Sequence, residues 1–245
     1  MNQFRPTGYN SLPNIIKNLL IINALVFFAQ YVFVLRGYVD PITHKSLLEN
    51  ILSLHAYQSD LFRPWQLITH MFMHADFWHI FGNMLGLWMF GSILENIWGP
   101  KQFLLFYFLC GVGAALIHLG AFSIEIMNYT NYYHQLTASA SSLSSSENIF
   151  IDNYRKMVDV PTMGASGAIF GILIAFVYLF PNTYIYIYFF IPMKAKWLGI
   201  LYFSYELYKA LMNSATDNVA RWAHVGGALI GFILVYLWKR NNRRF

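Results

Sequence analysis

Residues 164–180 read GASGAIFGILIAFVYLF, an apolar run without a charged side chain. A helix needs about 20 mostly apolar residues, each rising ~1.5 Å, to cross the hydrocarbon of a bilayer. The stretch from Ala165 to Phe180 approaches that length and reads as one crossing. Working outward in both directions, five further runs bounded by charge, Pro or polar clusters follow the same pattern: Asn18 to Leu35, Phe77 to Leu94, Phe103 to Phe122, Lys196 to Met212 and Ala223 to Trp238. The expected fold is an all-α membrane protein, a bundle of six transmembrane helices. Several runs fall short of the ideal and contain His, Asn or Ser, so they should gather round a polar interior rather than stand alone in lipid.

Composition points the same way. Of the 245 residues, 57% are hydrophobic and 19% aromatic, while only 11% are charged. Soluble globular proteins carry roughly 25% charged residues, so this chain has an apolar excess that a water-facing surface could not absorb. Disorder is excluded on the same grounds. The net charge of +5 does not describe a nucleic-acid face, because four of the sixteen cations crowd into residues 239–245 as a membrane flank. Cys110 is the single cysteine, which excludes an intrachain disulfide or a multi-cysteine metal site. Residues 1–17 lack a signal-peptide cleavage pattern, so the first apolar run is expected to stay in the mature protein.

Six crossings put both termini on one side. That side carries Arg5, Lys17, Lys101, Lys194, Lys196, Lys239, Arg240, Arg243 and Arg244, with Glu95 as its acidic partner. The other side spreads its cations over two much longer connections, 36–76 and 123–163, together with most of the acidic residues. The positive-inside rule then places both termini in the cytoplasm of an integral multi-pass protein, expected in a bacterial inner membrane. The chain divides into a cytoplasmic segment 1–17, a membrane-embedded domain 18–238 and a basic tail 239–245. Within the second long connection, Ala138 to Ser146 is serine-rich and reads as a flexible linker. Phe150, Tyr154, Met157 and Val158 then recur with the spacing of an amphipathic turn or two lying on the membrane surface. Trp65, Trp78, Trp98, Trp197, Trp222 and Trp238 sit near run ends as interface anchors.

Strongly polar groups inside crossings are costly enough to be functional hypotheses. Three sets stand out: Gly164-Ala165-Ser166-Gly167, Ala223-His224-Val225-Gly226-Gly227, and His79 with Asn83. The last two residues are one helical turn apart and share a face. All three sets fall on the outer half of the membrane and can converge. A serine needs a base to take its proton, and His224 is the candidate for Ser166. The neighbouring glycines remove bulk, so the fourth and sixth crossings can approach closely. His79, Asn83 and the Ser166 amide could stabilise an oxyanion. No acid stands at an obvious place in the later crossings, so the pair reads as a Ser-His dyad rather than a triad. The plain alternatives are a packing serine, a helix-end histidine, and His79 and Asn83 as interhelical glue. His70, His74 and His118 read as structural, and Glu95 as a cap or ion-pair partner at the inner end of the second crossing.

On these residues the sequence resembles the rhomboid family of intramembrane serine proteases. Gly164-Ala165-Ser166-Gly167 fits the family's GxSG, Ala223 to Gly227 fits AHxxG, and His79 to Asn83 fits HxxxN. The stretch Trp65 to His74 looks like the family's first outer loop. The resemblance implies a six-helix core in which a gap admits water and the transmembrane segment of a single-span or multi-span substrate, unwound near its outer end. It implies Ser166 as nucleophile, His224 as base and acid, and His79, Asn83 and the Ser166 amide as oxyanion donors, with no cofactor and no metal. Three positions depart from some members: the loop before the fourth crossing is longer, Gln66 stands where Arg occurs, and Phe170 stands where Tyr occurs. A ring at Phe170 could still pack on the His224 imidazole. The rival readings are a non-catalytic relative that binds membrane clients, which would be expected to lack the serine or histidine, and a His-ligated cofactor protein, which would need paired histidine clusters. A transporter is disfavoured by the absence of internal repeats.

Overall fold

A computed structural model of the protein describes residues 8–39, 46–138, 144–187, 191–212 and 220–241. Residues 1–7 of the N-terminal segment, 139–143 of the serine-rich tract and 242–245 of the basic tail lie outside the described residues.

The first helix, α1 (Asn14–Leu35), follows Pro13, and its opening turn has no acidic side chain of its own. The cap comes from elsewhere. The Ile15 and Ile16 amides donate to the two carboxylate oxygens of Glu95, each at 2.9 Å. Glu95 is buried, and here a charge in the protein interior is matched to the orphan amides and positive end of a helix. It belongs to the second crossing, which runs as α4 (Phe77–Gly86), a wide π turn (Leu87–Gly91) and α5 (Ser92–Trp98). Gly99, at φ +79°, ends that helix in a conformation that suits glycine, and Pro100 opens α6 (Pro100–Glu125) with φ already set for a helix.

Helix α6 is the centre of the bundle. Its Phe103, Phe106, Tyr107, Cys110, Gly111, Ala114 and Ala115 are buried, and it packs against both α9 (Ser166–Leu179) and α11 (Arg221–Asn241). Glycines set how closely α9 and α11 meet. A Cβ on Gly227 would collide with the Gly167 carbonyl, and one on Gly231 would lie 2.5–2.9 Å from the Gly171 backbone. Gly167 and Gly171 on one helix, and Gly227 and Gly231 on the other, therefore form a pair of small-xxx-small faces in direct backbone contact. Trp98, expected at an interface, is instead buried against Phe106 and Trp238, with ring centroids 4.9 and 5.8 Å away.

Among the described residues, four helices are long and apolar enough to cross a membrane: α1, the Phe77–Trp98 helix, α6 and α11. The other two expected crossings are also helices. Helix α9 is 14 residues long, and α10 (Ala195–Met212) carries Lys196, Glu206 and Lys209 within its 18 residues. Between them lies a hairpin, β1 (Tyr184–Ile187) antiparallel to β2 (Ile191–Lys194). Ile21, Leu25 and Phe28 of α1 and Leu201, Tyr205 and Tyr208 of α10 are exposed, the apolar exterior that a lipid solvent requires.

The described residues of both long connections form short helices and turns. Between α1 and α4 lie α2 (Leu47–Leu52) and α3 (Gln66–Thr69), the latter extended by a 3-10 turn, His70–Phe72. Gln66, wholly buried, holds this connection together: its carbonyl oxygen accepts from the His55 and Arg63 amides, and its amide donates to the Leu61 carbonyl at 2.9 Å. The second connection contains α7 (Met127–Ala138) and α8 (Ser145–Val158). Ser144 and Glu147 close a capping box at the start of α8, so the end of the serine-rich tract is ordered by its own side chains. The apolar face of α8 is not laid on the membrane surface. Tyr154 and Val158, with Phe150 and Met157, pack against Ala56, Phe122, Ile126 and Tyr133.

Gly227→Ala should lower the thermal midpoint of the detergent-solubilised protein, because overpacking of this kind costs about 1–3 kcal/mol. Gly120→Ala, where a Cβ meets nothing within 4 Å, should leave it unchanged. Equal midpoints for the two variants would mean that the α9–α11 contact tolerates expansion.

Candidate active site

Ser166 is the first residue of α9, so its amide is among those at the helix start that have no acceptor within the helix. The turn before it is shaped by Gly164, which sits at φ +124° with its amide donating to the His70 carbonyl at 2.9 Å. Any other residue at 164 would be strained by that φ. Its Cβ would also lie 2.7 Å from His79 Nε2. The backbone leading into Ser166 is thus pressed directly against the α4 face that carries His79.

His224 lies in the first turn of α11, and the glycine contact between α9 and α11 brings its Nε2 to 2.8 Å from Ser166 Oγ. Phe170, one turn after Ser166, stacks on the imidazole with centroids 4.4 Å apart and planes at 14°. Tyr202 of α10 packs on the far side of that ring, at 4.9 Å. The imidazole is therefore fixed in plane by a ring and in rotation by its hydrogen bonds.

His79 and Asn83 face the same turn. A Cβ built on Gly164 would be 3.6 Å from Asn83 Nδ2, close behind the His79 contact. The Ala75 amide donates to His79 Nδ1 at 3.4 Å, which leaves the ring proton on Nε2, the nitrogen facing Gly164. Asn83 is buried, and its amide nitrogen has no partner among the described residues. Two N–H donors are thus directed at the approach to Ser166 with little else to bind.

One side chain near this site was not anticipated from the sequence. Glu206 of α10, 2% exposed, accepts from His224 Nδ1 at 2.9 Å and from Arg221 Nη1 at 2.8 Å. An acid does stand beside the Ser166–His224 pair. It is the only acidic residue in the run 196–212, and an ionisable group inside an apolar run was the available signal. The other histidines lie further out. His118 Nε2 is 3.0 Å from Thr162 Oγ1, and His70 Nδ1 donates to the Gln66 carbonyl at 2.8 Å. His74 is wholly buried and edge-on to His79 at 5.1 Å, its backbone held by Gln30 of α1. Among the described residues, no three His, Cys, Asp or Glu side chains come together as metal ligands would.

A family model described as the Rhomboid domain matches residues 62–241, a span that includes all three polar sets. The chain belongs to the rhomboid family. It is 30% identical over 234 residues to RHOMBOID-like protein 12, mitochondrial, of Arabidopsis thaliana, covering 95% of this chain and 60% of the relative. It is 28% identical to Rhomboid protein 1, mitochondrial, of Saccharomyces cerevisiae, covering 70% and 40%, and 27% identical to Rhomboid protease AarA of Providencia stuartii, covering 88% and 69%. This rhomboid chain therefore spans about half the length of the plant and yeast relatives it matches. These similarities do not single out a bacterial inner membrane, since both of those relatives are named as mitochondrial.

Burial pushes the outer-connection histidines His70 and His74 down to about 4 and about 3. Unfolding would let both rings protonate near the ordinary value of about 6.5, so the unfolded chain binds more protons below that pH. The neutral rings therefore contribute stability that is complete above pH ~6.5 and lost as the pH falls to about 4 for His70 and about 3 for His74. Thermal midpoints should decline across that window, and less steeply in His74→Gln; parallel declines would assign the acid sensitivity elsewhere.

Proposed function

We propose that this rhomboid chain is an intramembrane serine endopeptidase that cleaves a peptide bond in or near the transmembrane segment of a membrane-protein substrate. The observation that carries the reading is the 2.8 Å contact between Ser166 Oγ and His224 Nε2, at the point where two glycine-packed helices meet. A client-binding relative would have no use for it. That some relatives are named as proteases, among them the Providencia stuartii protein and Rhomboid protease GluP of Bacillus subtilis, supports the same reading.

In this mechanism Ser166 Oγ attacks the scissile carbonyl carbon while His224 Nε2 takes the hydroxyl proton. The carbonyl oxygen becomes an oxyanion, met by the Ser166 amide at the positive end of α9 and by the N–H groups of His79 and Asn83. His224 then passes its proton to the leaving amine nitrogen, and the C–N bond breaks to leave an acyl-serine. Water, deprotonated in turn by His224, attacks the ester carbonyl and releases the second product with Ser166 restored. An extended substrate backbone is required, because a helical one keeps its carbonyls bonded and out of reach.

The proposed topology is six crossings within residues 18–238, with α9 and α10 joining the four longer ones, and with segment 1–17 and tail 239–245 on the cytoplasmic side. The connections 36–76 and 123–163 then cover the outer face. Their contacts support this arrangement: Leu54 and Thr162 exchange backbone hydrogen bonds, at 2.8 and 2.7 Å, tying the two connections together just before Ser166.

Purified protein should cleave a transmembrane-segment substrate in detergent, and Ser166→Ala should abolish cleavage while leaving the fold intact. Retained cleavage by that variant sinks the proposal. His79→Ala and Asn83→Ala should each lower kcat by about 10²- to 10³-fold with little change in KM, the amide of Ser166 providing the remainder. Wild-type rates for both would return the pair to a packing role.

A further inference from the structure

We infer that Glu206 is a positioning residue: through His224 Nδ1 it sets which imidazole nitrogen carries the proton, and Arg221 holds it ready to do so. The inference rests on the Ser166–His224 reading and extends it to a third and a fourth side chain. Glu206 has two oxygens and each has one donor, His224 Nδ1 at 2.9 Å and Arg221 Nη1 at 2.8 Å. A carboxylate cannot donate, so the proton of this contact sits on Nδ1 and the lone pair of Nε2 is turned to Ser166 Oγ. The other tautomer would place a proton between Nε2 and the serine oxygen, where the ring could not act as a base.

The placement is specific to this function of the acid. Glu206 is 2% exposed and Arg221 15%, so the carboxylate is removed from water, and the guanidinium opposite it keeps the charged form tenable. Arg221 is itself braced over the Tyr205 ring, at 5.5 Å. Tyr202 and Glu206 stand one turn apart on α10, so one face of that helix supplies both the ring behind Phe170 and the carboxylate at Nδ1. When His224 takes the serine proton, the imidazolium forms beside a charge already in place. A salt bridge that merely tied α10 to α11 would need Arg221 alone.

Glu206→Gln separates the two roles. Arg221 can only donate, so it captures the amide oxygen, and the amide NH₂ is then presented to His224 Nδ1. That forces the ring proton to Nε2 with no change of shape. We expect kcat to fall about 10²- to 10⁴-fold with KM nearly unchanged, as for an orienting acid lost from a Ser-His site. Glu206→Asp, which keeps an acceptor, should recover part of kcat. The second readout does not depend on activity: ¹⁵N-histidine NMR of the detergent-solubilised protein, with the His224 signal assigned by its loss in His224→Ala, should report Nδ1–H in the wild type and Nε2–H in Glu206→Gln. Wild-type protein carrying its proton on Nε2 overturns the inference even if no variant folds, and so does a Glu206→Gln enzyme with wild-type kcat. If Ser166→Ala cleaves as well as wild type, the protease reading fails while the NMR result still decides whether Glu206 sets the tautomer.

Discussion

The geometry of the site depends on one contact, the backbone-to-backbone approach of α9 and α11 through Gly167, Gly171, Gly227 and Gly231. Ser166 precedes the first of these glycines by one residue, and His224 precedes Gly227 by three, so both side chains sit at the mouth of the crossing. The serine side chain is short, so the 2.8 Å bond from Ser166 to a ring on another helix needs those two helices close together. The glycines meet that demand with no bulk to compress. Helix α6 fills the third side, with Ala114 and Cys110 lying where Cβ atoms on Gly167 and Gly171 would have to go.

A second constraint is that lipid cannot satisfy polar groups, and several of those buried here take partners from a distant part of the chain. Glu95 caps α1 from eighty residues away, Gln30 holds the backbone of His74, and Gln66 gathers five backbone groups of the first long connection. Gly164 is hydrogen-bonded to His70 in that same connection. The first long connection is thereby part of the wall of the candidate site, with His70 bonded to Gly164 and the His74 ring beside His79.

The helices and the convergence of the three polar sets were legible in the sequence because both are written in local patterns. Apolar length marks a crossing, and Ser166, His224, His79 and Asn83 each stand among small residues or one turn from a polar partner. Glu206 was not legible in the same way. Its contact with His224 spans eighteen positions and depends on the rotation of α10 about its axis, which the weak amphipathicity of that run does not encode. In the second long connection the spacing of Phe150, Tyr154, Met157 and Val158 reveals the helical turns of α8, but α7 is polar and carries no apolar run to mark it, and the face of α8 that could have met lipid packs against Tyr133 and Ile126 instead. Trp98 likewise has the composition of an interface anchor and the surroundings of a core residue.

The shortness of α9 has a consequence for the depth at which the proposed cleavage would occur. Fourteen residues rise only about 21 Å, against ~30 Å of hydrocarbon, so in the proposed topology, with Leu179 at one interface, the hydroxyl of Ser166 would lie roughly 9 Å beneath the other. A bond at that depth is out of reach of water in an intact bilayer. In that topology the protein would have to thin the leaflet above α9 or cover Ser166 with its long connections, and the coupling of 54 to 162 and of 70 to 164 is in position to do the second. The thickness of the surrounding membrane would then be a variable of the proposed protease: a thicker bilayer would bury Ser166 in acyl chains, and a thinner one would open it to solvent.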